Sequence, residues 1–200
     1  QMPILATMDI IDLVWPVLDF IFKPDLLTSN PLPIIRHKGN TYYGPAEYLS
    51  KQTGSEMEEC GWAYAEFRKT NDDKFLNHLV AAMYYPKHTT NGTIKGYNKE
   101  HVEKRAIHFA ELNPTLKRGV LLFYEMCEQW WRQNYDFLYE DGDDDGSEID
   151  SLGTSRIIRM LAGTKRGTVT DVRLLTRDEI YFELAELERE RRQLEKRSNK

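Results

Sequence analysis

The sequence predicts a mainly α protein: a multi-helix bundle with a short N-terminal β-hairpin and a C-terminal helical appendage. Three observations carry this. Apolar residues recur at three-and-four spacing along most of the chain. Helix-starting residues precede those segments, at Thr53 or Ser55, Asn71 or Asp72, Asn98, Asn113-Pro114 and Thr176. Forty per cent of the 200 residues are hydrophobic, with four Trp, eleven Tyr and eight Phe, which is enough to build a core.

In chain order, Asp9 to Phe22 places Ile10, Leu13, Val14, Val17, Leu18 and Ile21 on one helical face, with a kink at Pro16. Asp9, Asp12 and Asp19 interrupt that segment, so it reads as a buried amphipathic helix and not a membrane span. Ile34 to His37 and Asn40 to Tyr43 flank Lys38-Gly39 and predict a hairpin. Gly44-Pro45-Ala46-Glu47 reads as a helix start. The next helix runs to about Lys69 with Met57, Cys60, Tyr64 and Phe67 on one side. Another turns Phe75, Leu79, Ala82 and Met83 inward and ends before Pro86; residues 86–97 form a polar loop. Asn98 opens a helix carrying Val102, Ile107, Phe109 and Leu112. From Thr115 to about Tyr139 the spacing predicts the longest helix, apolar most of the way round and central to the bundle.

Glu140 to Asp150 holds seven carboxylates and two glycines in eleven residues, too little apolar surface to offset the entropy of ordering it. It predicts a division into a helical body at 1–140, an acidic linker at 141–150 and a helical C-terminal unit at 151–200. In that unit Ile157, Ile158, Met160 and Leu161 form a helix ending at Gly163, residues 163–167 a turn, and 168–175 a short ambiguous stretch. Thr176 followed by Glu179 is a capping box that starts the last helix. Charge is uneven. Residues 1–150 carry 15 Lys/Arg against 24 Asp/Glu, net −9, and residues 151–200 carry 12 against 8, net +4. An acidic body lacks the clustered cations that phosphate contacts need, so nucleic acid is not an expected partner, and neither is a membrane. Two cysteines imply no disulfide framework and a reduced, cytoplasmic setting.

Asp141, Asp143 and Asp145 before Gly146 reproduce the opening of an EF-hand-type calcium loop, in which alternate oxygens converge on a hard cation. The twelfth position, which should bring a bidentate Glu, is Leu152, so the solvated-linker reading is preferred and no cofactor is expected. His37, His78, His88, His101 and His108 follow no metal-ligand spacing. Cys60 and Cys127 read as buried structural thiols, and Trp130-Trp131 as core and interface anchors. The last helix is the candidate interaction element. Ile180, Leu184, Leu187 and Leu194 follow a heptad seam that Arg191 interrupts, set among alternating charges that suit docking onto a partner chain.

Two stretches resemble known proteins. Tyr43-Gly44-Pro45-Ala46, Leu49-Ser50, Gly54-Ser55-Glu56, Asn77 to Ala81 and Tyr84-Tyr85-Pro86 are similar to uncharacterised helical proteins of Bacteroidetes-type phages and prophages. Leu161-Ala162-Gly163, Gly167-Thr168-Val169 and the charged ending resemble small helical phage tail-assembly proteins of chaperone-like type. The resemblance implies a non-enzymatic role in virion morphogenesis in the bacterial host cell, with phage tail components or a second copy as partners, and association with the virion. Two alternatives stand beside it: a bacterial regulatory module docking through its last helix, and a weak calcium-binding protein.

Overall fold

The structure is a computed structural model and describes residues 28–86, 98–138, 151–163 and 167–198. It is mainly α, with a small antiparallel sheet near its start. Strands β1 (Ile34–His37) and β2 (Asn40–Tyr43) form the expected hairpin, with Ile34 opposite Tyr43 and His37 opposite Asn40. Its turn needs left-handed backbone at both central positions, Lys38 (φ 47°) and Gly39 (φ 78°), the geometry that suits the twist of paired strands. A third strand, β3 (Tyr85–Pro86), pairs with β2 through Tyr42↔Pro86 and Tyr43↔Tyr85. Nothing in the sequence marks it, because two residues leave no periodicity.

The helix start expected at Gly44-Pro45-Ala46-Glu47 is only a 3-10 turn, Glu47–Leu49. Tyr48 and Leu49 both take φ 56°, which an α-helix cannot continue through. The Tyr48 carbonyl is spent elsewhere, accepting from the Trp131 indole Nε1 at 2.6 Å.

Seven α-helices follow among the described residues: α1 (Gly54–Thr70), α2 (Asp73–Met83), α3 (Lys99–Phe109), α4 (Pro114–Asn134), α5 (Ser151–Ala162), α6 (Val169–Leu174) and α7 (Arg177–Ser198). Their starts follow local chemistry. Thr53 and Glu56 form a capping box on α1, and Asp72, Asn98 and Asn113 cap α2, α3 and α4 through their side chains. Thr168 and Asp171 form a second box on α6. At the end of α1, Asn71 takes φ 51°, and its N–H donates to the Phe67 carbonyl at 2.7 Å. The longest helix is α7 and not α4, which stops at Asn134.

Two clusters make the core. The first gathers Ile35 and Tyr42 of the sheet, Cys60, Ala63 and Phe67 of α1, Leu76 and Leu79 to Met83 of α2, Val102 and Phe109 of α3, and Val120, Leu121, Phe123, Tyr124 and Cys127 of α4. The second joins Met57 of α1 and Trp131 of α4 to Ile157, Ile158, Leu161, Val172, Ile180, Tyr181 and Leu184 of the last three helices. So α1 and α4 belong to both, and α5, α6 and the first turns of α7 pack back on α1 and α4. Two residues expected inside face water: Ile107 is 78 % exposed and Met160 is 46 % exposed, because no described neighbour covers their side of α3 or α5. The segment 9–22, the loop residues 87–97, the linker 141–150 with Asp141, Asp143 and Asp145, and residues 164–166 lie outside the described residues. Among those described, no helix is long and apolar enough to cross a membrane.

Candidate functional site

The last helix starts where the two clusters meet, and backbone pairing fixes its first turn. Thr176 bridges Thr53 as an isolated antiparallel pair. The Gly54 N–H donates to the Leu175 carbonyl (2.9 Å), the Arg177 N–H to Gln52 (2.7 Å) and the Asp178 N–H to Ser50 (3.2 Å). That approach requires a glycine: a Cβ at Gly54 would sit 3.0 Å from both the Arg173 Cα and the Val172 carbonyl oxygen. The Thr176–Glu179 capping box closes the helix start, with the Thr176 N–H donating to Glu179 Oε2 at 2.7 Å.

Behind this turn lies a buried polar seam. The Arg177 side chain is 1 % exposed, and its Nη2 donates to Glu128 Oε1 at 2.7 Å and to Gln52 Oε1 at 2.9 Å. The Gln52 amide in turn donates to Cys60 Sγ at 3.0 Å. The guanidinium sits 5.9 Å from the centre of the Trp131 ring. Burial opposes its charge, but the Glu128 carboxylate, with Tyr181 and Tyr124 beside it, outweighs burial and holds the pKa above the usual arginine value. Arg177 Nε and Nη1 have no partner among the described residues. Burial pushes the Cys60 thiol well up, with Glu56 adding to it, and pushes Cys127 up to about 12. Neither sulfur is a nucleophile at neutral pH.

The seam nominated from the sequence is therefore divided, and part of it needs correction. Ile180 and Leu184 are fully buried in the chain's own second cluster, and Leu187 packs against its edge. Burying a side chain such as Ile180 or Leu184 is worth about 1.5–3 kcal/mol, so these two positions serve the fold and are not open to a partner. Arg191 and Leu194 do lie outside, with Leu194 64 % exposed. Residues 189–198 are exposed throughout, a helical extension of roughly 15 Å at 1.5 Å per residue.

What keeps that extension helical is charge pairing along its own surface. Arg189 pairs with Glu186, Arg191 with Glu188 (2.8 Å) and Glu195 (3.3 Å), and Arg192 with Glu188 (2.6 Å). Hydrogen bonds from Arg191 and Arg192 hold the Glu188 carboxyl down at about 2. The segment carries Arg189, Arg191, Arg192, Lys196 and Arg197 against Glu190 and Glu195, so its outer surface is net basic.

The other candidate residues resolve as supports. Trp131 is buried and bonded to the Tyr48 carbonyl, and the Trp130 ring packs 4.6 Å from Tyr48. His78 and Glu59 form a 2.5 Å contact between α1 and α2, with the edge of Trp62 5.0 Å away. His101 is exposed at the start of α3, where its N–H donates to the cap Asn98. Among the described residues, no three His, Cys, Asp or Glu side chains converge as a metal site requires. Sequence reasoning missed Gln52, Glu128 and Arg177, because Arg177 sits 125 positions from Gln52 and nothing local marks an arginine for burial. No protein-family model, curated protein or solved structure matches the chain.

Proposed function

We propose that the protein is a non-enzymatic assembly protein of a phage or prophage, acting in tail formation through the exposed end of α7. One observation carries this reading: a long helix whose first turns are locked into the core continues through residues 189–198, all of them exposed. Such a segment has little to contribute to the fold and is held ready by its own ion pairs. The resemblance of residues 150–195 to tail-assembly proteins supports the role. The partner surface that fits is acidic, to match the net basic end, with an apolar recess for Leu194.

The test uses the products of the genes neighbouring this one. Calorimetry measures their binding to the full chain and to a chain ending at Glu188. The expected result is that one product binds the full chain, that the shortened chain has lost the binding, and that both chains melt at the same temperature. If no neighbouring product binds, or if the shortened chain binds equally well, the proposal fails.

A further inference from the structure

The tip of the β1–β2 hairpin rests on the end of α3 through a compact group of titratable side chains. His37 Nε2 lies 3.2 Å from the His108 carbonyl oxygen, which makes that nitrogen the donor. The two imidazole rings meet edge to face with centres 4.7 Å apart, and Tyr42 meets Phe109 the same way at 4.7 Å. Lys38 in the turn pairs with Glu111 just past α3 at 2.5 Å. His108 Nε2 is buried and has no hydrogen-bond partner among the described residues.

We propose that this imidazole pair is an acid-sensitive latch, closed while the His108 ring is neutral and opened when His108 takes up a proton. In the neutral ring Nε2 can remain an unpaired acceptor, a modest cost. Protonation turns it into a buried N–H donor with no acceptor and places a positive charge against His37 and Lys38. Among the described residues the carboxylate beside it, Glu111, already accepts from Lys38. Burial first, then His37 and Lys38, hold the His108 pKa below 6.5, outweighing the opposing pull of Glu111. A lowered folded-state pKa means the contact is complete above the free imidazole value and weakens as pH falls toward the His108 midpoint. Because β2 stays tied to β3 through Tyr42 and Tyr43, the opening is confined to the tip around His37 to Asn40. It frees the His37 end of β1, which among the described strands is an edge of the sheet, and a freed strand edge is a ready template for another strand.

Amide hydrogen exchange on the full chain tests the latch across about pH 8 to about pH 5, with each amide corrected for its intrinsic rate. The opening constant of the β1–β2 ladder, referenced to α1 in the same sample, should rise on acidification. The rise should be tenfold for every pH unit by which the folded His108 midpoint lies below that of a free imidazole. His108→Gln should abolish the rise, and His37→Gln, which keeps a donor toward the His108 carbonyl, should reduce it. A ladder whose relative exchange ignores pH overturns the proposal, as does the same pH response in His108→Gln. Should His108→Gln fail to fold, an NMR titration of the wild-type imidazoles decides. A His108 midpoint below that of free histidine supports the latch, and one at or above it overturns it.

Discussion

Replacing Arg177 with Met strikes the point where the last helix is anchored, and its cost follows from the geometry. The variant leaves Glu128 Oε1 and Gln52 Oε1 without the donor that held both, in a seam where the arginine side chain is 1 % exposed and the glutamate's is 21 % exposed. Removing one partner of a buried ion pair costs about 3–5 kcal/mol. Two features set the expectation at the lower end, about 3 kcal/mol. Water reaches part of Glu128, and the substitution also removes Arg177 Nε and Nη1, which lack partners among the described residues. In a chain of this size each kcal/mol moves Tm by roughly 2–4 °C, so the fall should be about 6–12 °C. Urea unfolding followed by tryptophan fluorescence gives the free energy, and Glu128→Gln with the double variant completes a cycle. The double variant should cost less than the sum of the singles by at least about 0.5 kcal/mol. A variant within about 0.5 kcal/mol of the parent, or strict additivity, would refute the view that this pair anchors α7.

Gly54→Ala should destabilise by about 1–3 kcal/mol in a thermal melt, because crowding against Arg173 and Val172 outweighs the better helix propensity of Ala; a raised Tm would contradict the close packing. Glu188→Gln should lower far-UV helicity at low salt without moving the main transition, since i,i+3 and i,i+4 pairs along a helix surface are worth only about 0.3–0.5 kcal/mol each. The Glu188 carboxyl is held down at about 2, so its support of the extension is full above its ordinary 4.5 and is lost as pH falls through about 2. Circular dichroism over that acid range should show the loss, and a Glu188→Gln chain should not share it. Cys60 and Cys127 should resist a thiol reagent in the native chain and react together on unfolding; labelling at native pH without loss of structure would show that one of them is accessible.

Local chemistry alone determined the hairpin of this protein and the helix starts from Thr53 onward, but not the start expected at Gly44-Pro45-Ala46-Glu47. A capping box such as Thr53–Glu56 or Thr176–Glu179 closes over three residues, and a Lys38-Gly39 turn over two, so short-range hydrogen bonding and backbone sterics are enough to specify them. The mainly α character follows from the same short spacings. Only the tertiary structure decided which face of each helix is covered. Periodicity placed Ile180, Leu184 and Leu194 on one stripe, and packing on α1 and α4 buried the first two and left the third in water. The same holds for Ile107 and Met160, apolar by pattern and exposed because no described element lies over them. Arg177 is the sharpest case. A basic residue after a helix cap reads as solvated, yet it is buried because Gln52 and Glu128, far away in the chain, meet it there. Burial is a property of pairs of elements, and the energy of a desolvated charge depends on partners that no local stretch of sequence contains.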